Sequence, residues 1–411
     1  MSLLFSRARK CGPSMLLAGA AAGFIVPVHA QTALSEAQAI ERALGDSDFT
    51  GLGAAEREAA RAGADTVSRF DNPEIGVSHS RLRGAAGDED EWEVGVTQPI
   101  DLSGRRSALR AALRAEADAT DADVDRRRQQ RIAEVRRAYA DCAVAGEQVT
   151  LANAFSARLR EAERVVTDRT QVGDTAVYDL RRLRVEARAA DAEAALAVGE
   201  QRAECTALAR LTGVADARPS VRLGALANPA ASAGTSTGRA DLTALEARVL
   251  AATQTAIAAR RARLPALRLG AAYQRREEGG LTSSGPAVTV GVTLPILNGG
   301  GAAIREAEAR ARARQSELAL ARRSAEAEIA EAAARARAAT DAARIAANAR
   351  DDAGRLGDIA ETSYQSGEIA VAELVDAYRA ARDAELSIVE LTGRAIRAAI
   401  DLDLAQGGTV R

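Results

Sequence analysis

Residues 91–106, EWEVGVTQPIDLSGRR, decide how this chain folds, because an alternating apolar pattern ends there and a very long proline-free helical pattern begins. Trp92, Val94 and Val96 share one face of an extended strand, and Glu93, Gly95 and Thr97 share the other. That is the pattern of a sheet with one apolar and one wet face. Pro99 then ends the strand. The junction recurs downstream: Val288, Val290 and Val292 alternate with Thr289, Gly291 and Thr293, Leu294-Pro295-Ile296 follows, and Gly299, Gly300 and Gly301 precede another long helix. The chain therefore reads as a tandem duplication.

Upstream of the junction, residues 74–83 alternate as a first strand, a Gly/acidic loop is expected over 84–90, and the second strand of the hairpin occupies 91–100. About ten residues per strand is enough to cross a bilayer when tilted. Residues 31–70 have a helical pattern, with interruptions expected at Gly45-Asp46-Ser47 and near Gly51-Leu52-Gly53, and Asn72-Pro73 closes it.

Downstream, residues 105–171 hold no proline, and Ile132, Val135, Tyr139 and Cys142 keep the spacing of a coiled-coil seam. A helix over that span would be about 100 Å long. Val172-Gly173-Asp174-Thr175 reads as a turn, and 176–211 as a shorter helix running back. It would cover only half of the outgoing helix, so the segment ending near Phe70 is expected to stack on its end and complete the second column.

The second copy follows the same order. A helix is expected over 240–263, a strand over 266–276, a loop over 277–286, a strand over 287–296, a helix over 304–364, the turn Gln365-Ser366-Gly367-Glu368, and a return helix to 405. Gly173 and Gly367 lie 194 residues apart, Pro73 and Pro265 192, Pro99 and Pro295 196. The three landmarks give one period. None of the nine prolines falls in a proposed long helix, where one would cost about 3 kcal/mol.

The division that results is a signal peptide over 1–30, a first repeat over 31–212, a linker over 213–239 rich in Gly, Ala, Pro and Ser, a second repeat over 240–407, and a tail over 408–411. The signal reading rests on Arg7, Arg9 and Lys10 ahead of the apolar 15–28 stretch, with Val28-His29-Ala30 as the cleavage site. Cys11 follows Arg9-Lys10, not an apolar lipobox, so no lipoprotein is expected. No later segment carries about eighteen consecutive apolar residues, so a membrane-embedded form would have to use strands.

Composition excludes several functions. The chain is 3% aromatic with a formal net charge of −2, which argues against nucleic acid as a partner. Arg126, Arg127, Arg128 and Arg131 are surrounded by acidic residues and read as a solvated helix face. The two histidines, His29 and His79, cannot build a histidine metal cluster or a histidine-dependent triad. Gly299-Gly300-Gly301 lacks the Lys and Ser/Thr of a phosphate loop. No catalytic residue, cofactor or metal is expected.

The fold class expected is mainly α, in an α+β arrangement: long antiparallel coiled-coil hairpins plus four transmembrane strands per chain. Four strands cannot close a membrane barrel, and eight leave an interior filled by side chains. Three chains would supply twelve strands around a lumen, extended by the helices into a tunnel.

At this point the sequence resembles the TolC-like outer membrane efflux proteins, over nearly all of 31–407. The residues that carry the resemblance are the junction Gln98-Pro99-Ile100-Asp101-Leu102-Ser103-Gly104-Arg105-Arg106, the first tip Val172-Gly173 with Asp179, and the second tip Tyr364-Gln365-Ser366-Gly367 followed by Glu373 to Asp376. The junction looks most like the branch serving heavy-metal and related cation pumps. The resemblance implies a passive exit duct in the outer membrane of a Gram-negative bacterium, with its helical part in the periplasm. It implies a homotrimer that meets outer membrane lipid, a periplasmic adaptor (membrane fusion) protein and an inner membrane pump.

By the same resemblance, Glu373 and Asp376 take the acidic-ring positions of the periplasmic entrance. Asp179 takes the first-tip gate position, and Tyr364 its second-tip contact. Val172, Gly173, Asp174, Ser366, Gly367 and Glu368 would form the tip turns for adaptor docking. A gating arginine known in the family would stand at Ile369, so its closing salt bridge is not expected here. Read without the resemblance, the carboxylates are solvated helix-face residues. The other readings are the outer membrane component of a type I protein secretion system, and a non-channel periplasmic coiled-coil adaptor or scaffold.

Cys142 and Cys205 lie 31 residues before and 32 after Gly173, positions that an antiparallel hairpin brings level. Ala143, Ala145 and Ala203 would let the helices approach. Two readings follow: a disulfide closing a loop of about 62 residues, or two buried thiols packing as small apolar groups.

Overall fold

The computed structural model describes residues 32–67, 70–84, 87–223, 238–297 and 299–408. The signal peptide expected over 1–30 and most of the linker lie outside the described residues. The junction leads into α3 (Arg105–Gln171), a single helix of 67 residues. Gly104, at φ +71°, turns the chain into it. Asp101 caps it, its carboxylate accepting from the N–H groups of Ser103 at 2.9 Å and Arg106 at 3.3 Å. Burial raises the Asp101 pKa, but the hydrogen bonds from Ser103 and Arg106 outweigh it and hold the carboxyl below its ordinary value.

Most buried positions on α3 are alanine, so neighbouring helices can approach closely. The tip half is covered by α4 (Val177–Thr212), running back from the turn. The other half is covered by α1 (Glu36–Leu44) and α2 (Ser47–Asp65), with Arg57 reaching Asp121 at 3.2 Å and Asp125 at 2.7 Å. Asp46 separates the two short helices, accepting from the N–H groups of Asp48 and Phe49 at 3.0 and 2.9 Å. The second interruption, expected near Gly51-Leu52-Gly53, is absent, because α2 runs through it. A Cβ at Gly53 would come within 3.0 Å of Val124, so this glycine serves a close approach to α3, not a break.

One four-stranded antiparallel sheet holds β2 (Glu74–Gly84), β3 (Gly87–Ile100), β5 (Ala266–Glu278) and β6 (Leu281–Thr293) in that order. Its register sorts the side chains. Val77 faces Val94, which faces Tyr273, which faces Pro286, and the next row of that face is Ile75, Val96, Ala271 and Val288. The opposite face carries the row Ser78, Glu93, Gln274 and Gly285. The apolar face is uncovered: Val77 is 64% exposed and Val288 80%.

The hairpins are tighter than the expected loops over 84–90 and 277–286. Gly84 pairs with Gly87 and Glu278 with Leu281. Gly279 and Gly280, both at positive φ (+56° and +83°), make the two-residue turn that matches strand twist. The acidic residues stay in strands because they have partners: Arg276 meets Glu89 at 2.9 Å, and His79 and Arg81 meet Asp90 at 3.0 and 3.2 Å. Pro286, expected in a loop, is tolerated because β6 is an edge strand.

The second repeat copies the first through α5 (Ala240–Arg261), α6 (Gly301–Ala347), α7 (Arg350–Gln365) and α8 (Val371–Ala405). It departs where a continuous helix was expected over 304–364. The amides of Asn348 and Ala349 bond only three residues back, to Ile345 and Ala346 at 3.2 and 3.0 Å. No side chain between Ala336 and Ala353 is buried. Tertiary packing therefore does not enforce the helix there, and Asp351 and Asp352 favour a new N-terminus.

Near the middle of α3, β1 (Thr32–Leu34) pairs in parallel with β4 (Ala217–Pro219), an element not expected from the sequence. Tyr139 donates to the Leu34 carbonyl at 2.9 Å beneath it. In the same buried cluster Cys142 and Cys205 are joined by a disulfide, with Cα atoms 4.8 Å apart.

Candidate functional site at the helical tips

Both tip turns follow from one backbone device. Gly173 and Gly367 adopt φ +84° and +81°. Asp174 N–H bonds the Arg169 carbonyl at 2.9 Å and Gly173 N–H that of Thr170 at 3.1 Å; Glu368 N–H bonds Ser363 at 2.8 Å and Gly367 N–H that of Tyr364 at 3.1 Å. These are the paired closing bonds of a helix ended by a left-handed glycine. Val172, Gly173 and Asp174 at one turn, and Ser366, Gly367 and Glu368 at the other, are all exposed at the end of the molecule.

Behind the turns the two hairpins share one apolar core. Leu159 and Val166 from α3, Leu183 from α4, Tyr364 from α7, and Val371 and Val375 from α8 are buried together. Around it arginines link hairpin to hairpin. Arg169 donates to the carbonyls of Tyr364 and Gln365 at 3.3 and 2.9 Å and lies 5.0 Å over the Tyr364 ring. Arg158 bonds Asp358 at 3.2 Å. From the other side Arg379 pairs with Glu186, and Arg382 meets Glu193 at 2.5 Å. Burial first, and then the Glu361 carboxylate, push the Tyr378 phenol up to about 12, so it stays protonated inside the core.

The residues singled out from the sequence fall into this frame with different duties. Tyr364 is buried, and its hydroxyl has no hydrogen-bond partner among the described residues. The polar contact expected from Tyr364 to Asp179 is therefore not made within the chain: the ring lies inside the apolar core, with Arg169 over its face. Asp179 is half-buried in the first turn of α4. Glu373 and Asp376 are exposed on α8. The Glu373 carboxylate accepts from the Ala370 N–H at 3.1 Å and so caps that helix. Asp376 has Arg379 at 3.8 Å. Ile369 packs half-buried against the tip core.

The arginine links escaped sequence reasoning, since Arg158 and Asp358 are 200 residues apart and nothing local marks them as partners. The duplication was the one usable signal, because it places both tips at the same end.

Comparison with known proteins bears on the whole chain. The sequence matches the family described as outer membrane efflux protein over residues 52–214 and 236–408. No curated protein sequence matches it. Among solved structures, CusC superposes with a TM-score of 0.78 at 20% identity, over 91% of this chain and 92% of that one. VceC of Vibrio cholerae gives 0.74 at 20% identity over 92% and 97%. A membrane protein of Pseudomonas aeruginosa gives 0.76 at 22% over 90% and 92%.

Proposed function

Because this chain belongs to the outer membrane efflux protein family, we propose that it works as the passive exit duct of a tripartite efflux system, assembled from three copies. The observation that carries the reading is the sheet, an exposed apolar surface with polar residues behind it and both outer strands, β2 and β6, unpaired. In lipid an unpaired strand edge costs several kcal/mol per exposed polar group. Three four-stranded sheets joined β2 to β6 would leave no outer strand unpaired, with Pro286 of β6 having no N–H to donate, and give twelve strands, with the Glu93 and Gln274 face lining the lumen.

The apolar band supports a bilayer position. From Ile100, Leu267 and Val292 to Trp92 is eight residues along β3, about 27 Å of strand and about 20 Å of height at the usual tilt. Trp92, stacked on His79 at 4.2 Å between ring centroids, sits at the upper boundary, where amphipathic rings gather. The exposed tip turns are the surface offered to a periplasmic adaptor, with an inner membrane pump supplying the energy and choosing the cargo of small molecules or metal cations.

Glu373 and Asp376, exposed on α8 beside the tip, are the groups three-fold symmetry would gather into an entrance ring of six carboxylates. Purified protein in a planar bilayer should form cation-selective channels after fractionating with the outer membrane. A protein found only in the soluble periplasmic fraction, with no conductance, would favour the scaffold reading.

A further inference from the structure

The Cys142–Cys205 disulfide is sealed inside the folded chain: Cys142 is 1% exposed and Cys205 4%. Leu34 of β1 and Ala39 and Ala43 of α1 pack into the same buried cluster. This cover comes from a distant part of the sequence. The Leu34 carbonyl accepts from the Tyr139 hydroxyl at 2.9 Å and from the Ser220 N–H at 2.8 Å, and Glu36 accepts from Arg136 at 2.8 Å. Exchange at a disulfide requires an outside sulfur to meet one of the two sulfurs directly, so the bond has to form before β1 and α1 close over it.

Packing does not explain one side chain beside the pair. The Arg218 guanidinium is half-buried; its Nη1 donates to Cys205 Sγ at 3.0 Å, and its Nε is buried with no partner. A disulfide sulfur is a weak acceptor, a poor match for a guanidinium drawn out of water. A thiolate matches it well, and a cation beside a cysteine favours that form, the attacking species in exchange. Arg218 needs no cover to reach its place: it lies 13 residues after Cys205, and the neighbouring Ser220 N–H donates to the Tyr139 hydroxyl at 3.2 Å. Among the described residues no cation is bonded to Cys142.

We infer that Cys205 is the thiol through which a periplasmic protein disulfide oxidises this pair, with Arg218 stabilising its thiolate and β1 and α1 then sealing the product. The Cys205 thiolate attacks one sulfur of the oxidant's disulfide and releases the other, which takes a proton. Cys142 then gives up its proton and attacks Cys205 Sγ in the mixed disulfide, releasing the oxidant's second sulfur. Two electrons and two protons pass to the oxidant, which leaves as a dithiol. The inference rests on the periplasmic placement that comes with the family, a compartment that oxidises thiols; its failure would leave the duct reading untouched.

The test traps the intermediate in cells producing Cys142→Ala or Cys205→Ala, quenched in acid, thiol-blocked and run on denaturing gels with and without reductant. Cys142→Ala cannot resolve the mixed disulfide and should carry a reductant-sensitive adduct of a second protein, several-fold more abundant than any on Cys205→Ala. Adding Arg218→Ala should lower that adduct several-fold, and Arg218→Lys should restore it. The adduct forms before the cover closes, so the readout does not depend on the variants completing their fold. Purified wild-type protein in excess dithiothreitol should keep the bond while folded and lose it in denaturant. Adducts equal on the two variants, or absent from both, would overturn the entry thiol; an adduct indifferent to Arg218→Ala would remove the arginine's role. A bond reduced as fast in the folded as in the unfolded protein would overturn the seal.

Discussion

The guanidinium of Arg169 lies 5.0 Å over the ring of Tyr364 and donates to that residue's carbonyl oxygen at 3.3 Å, so one side chain of α3 holds the end of α7. Removing it as Arg169→Ala deletes a cation–π contact and two hydrogen bonds. The expected loss is about 1–3 kcal/mol from the pairing of the two hairpins. Single-channel recording checks this: the variant should open more often or conduct more than wild type, and unchanged currents from intact particles would count against the link.

Glu373 and Asp376 should make the entrance cation-selective. Glu373→Gln with Asp376→Asn removes both charges while leaving the glutamine able to accept from the Ala370 N–H, so the cap on α8 survives. Reversal potentials in a salt gradient should move toward zero, and block by multivalent cations should weaken. Selectivity equal to wild type would place the entrance elsewhere.

Asp101 stabilises the start of α3 only as a carboxylate, since it accepts hydrogen bonds from Ser103 and Arg106. Its folded pKa lies below the ordinary 3.8, so its contribution is complete above that pH and is lost as pH falls through the lower folded value. Asp101→Ala should cost about 1–2 kcal/mol at neutral pH. Thermal inactivation measured from pH 7 down to pH 3 should show the variant's deficit shrinking at the acid end.

The Cys142–Cys205 bond closes a separation of 63 residues, worth about 4 kcal/mol in the chain-entropy model. Cys142→Ala with Cys205→Ala should inactivate at a lower temperature. Alkylation of denatured, unreduced wild-type protein should leave both residues unmodified; two labelled cysteines would show free thiols.

How much of this was legible in the sequence depended on the range of the interaction. Periodicity and prolines placed α3 over 105–171 with the bounds the structure has, and glycines placed both tips, because helix ends and turns are local. The two-residue turn at Gly279-Gly280 was read as a ten-residue loop, since Gly, Ser and Pro286 look like loop residues unless the strand is known to lie at an edge. The break at Asn348 carries no proline and shows only once α7 is seen to bury nothing there. The pairing of Thr32–Leu34 with Ala217–Pro219 and the Arg158–Asp358 bond join segments far apart in the chain, and three-residue strands leave no pattern to count. For Tyr364 the resemblance implied a contact to Asp179 that the chain does not make on its own, because its ring is buried among four helices at once.

The central claim is that this chain closes its sheet only with two further copies. Mass measurement of protein extracted from the outer membrane in mild detergent tests it most directly. Particles of three chains that resist dissociation until heated are the expected result; a monodisperse monomer with its strand content intact would contradict the account.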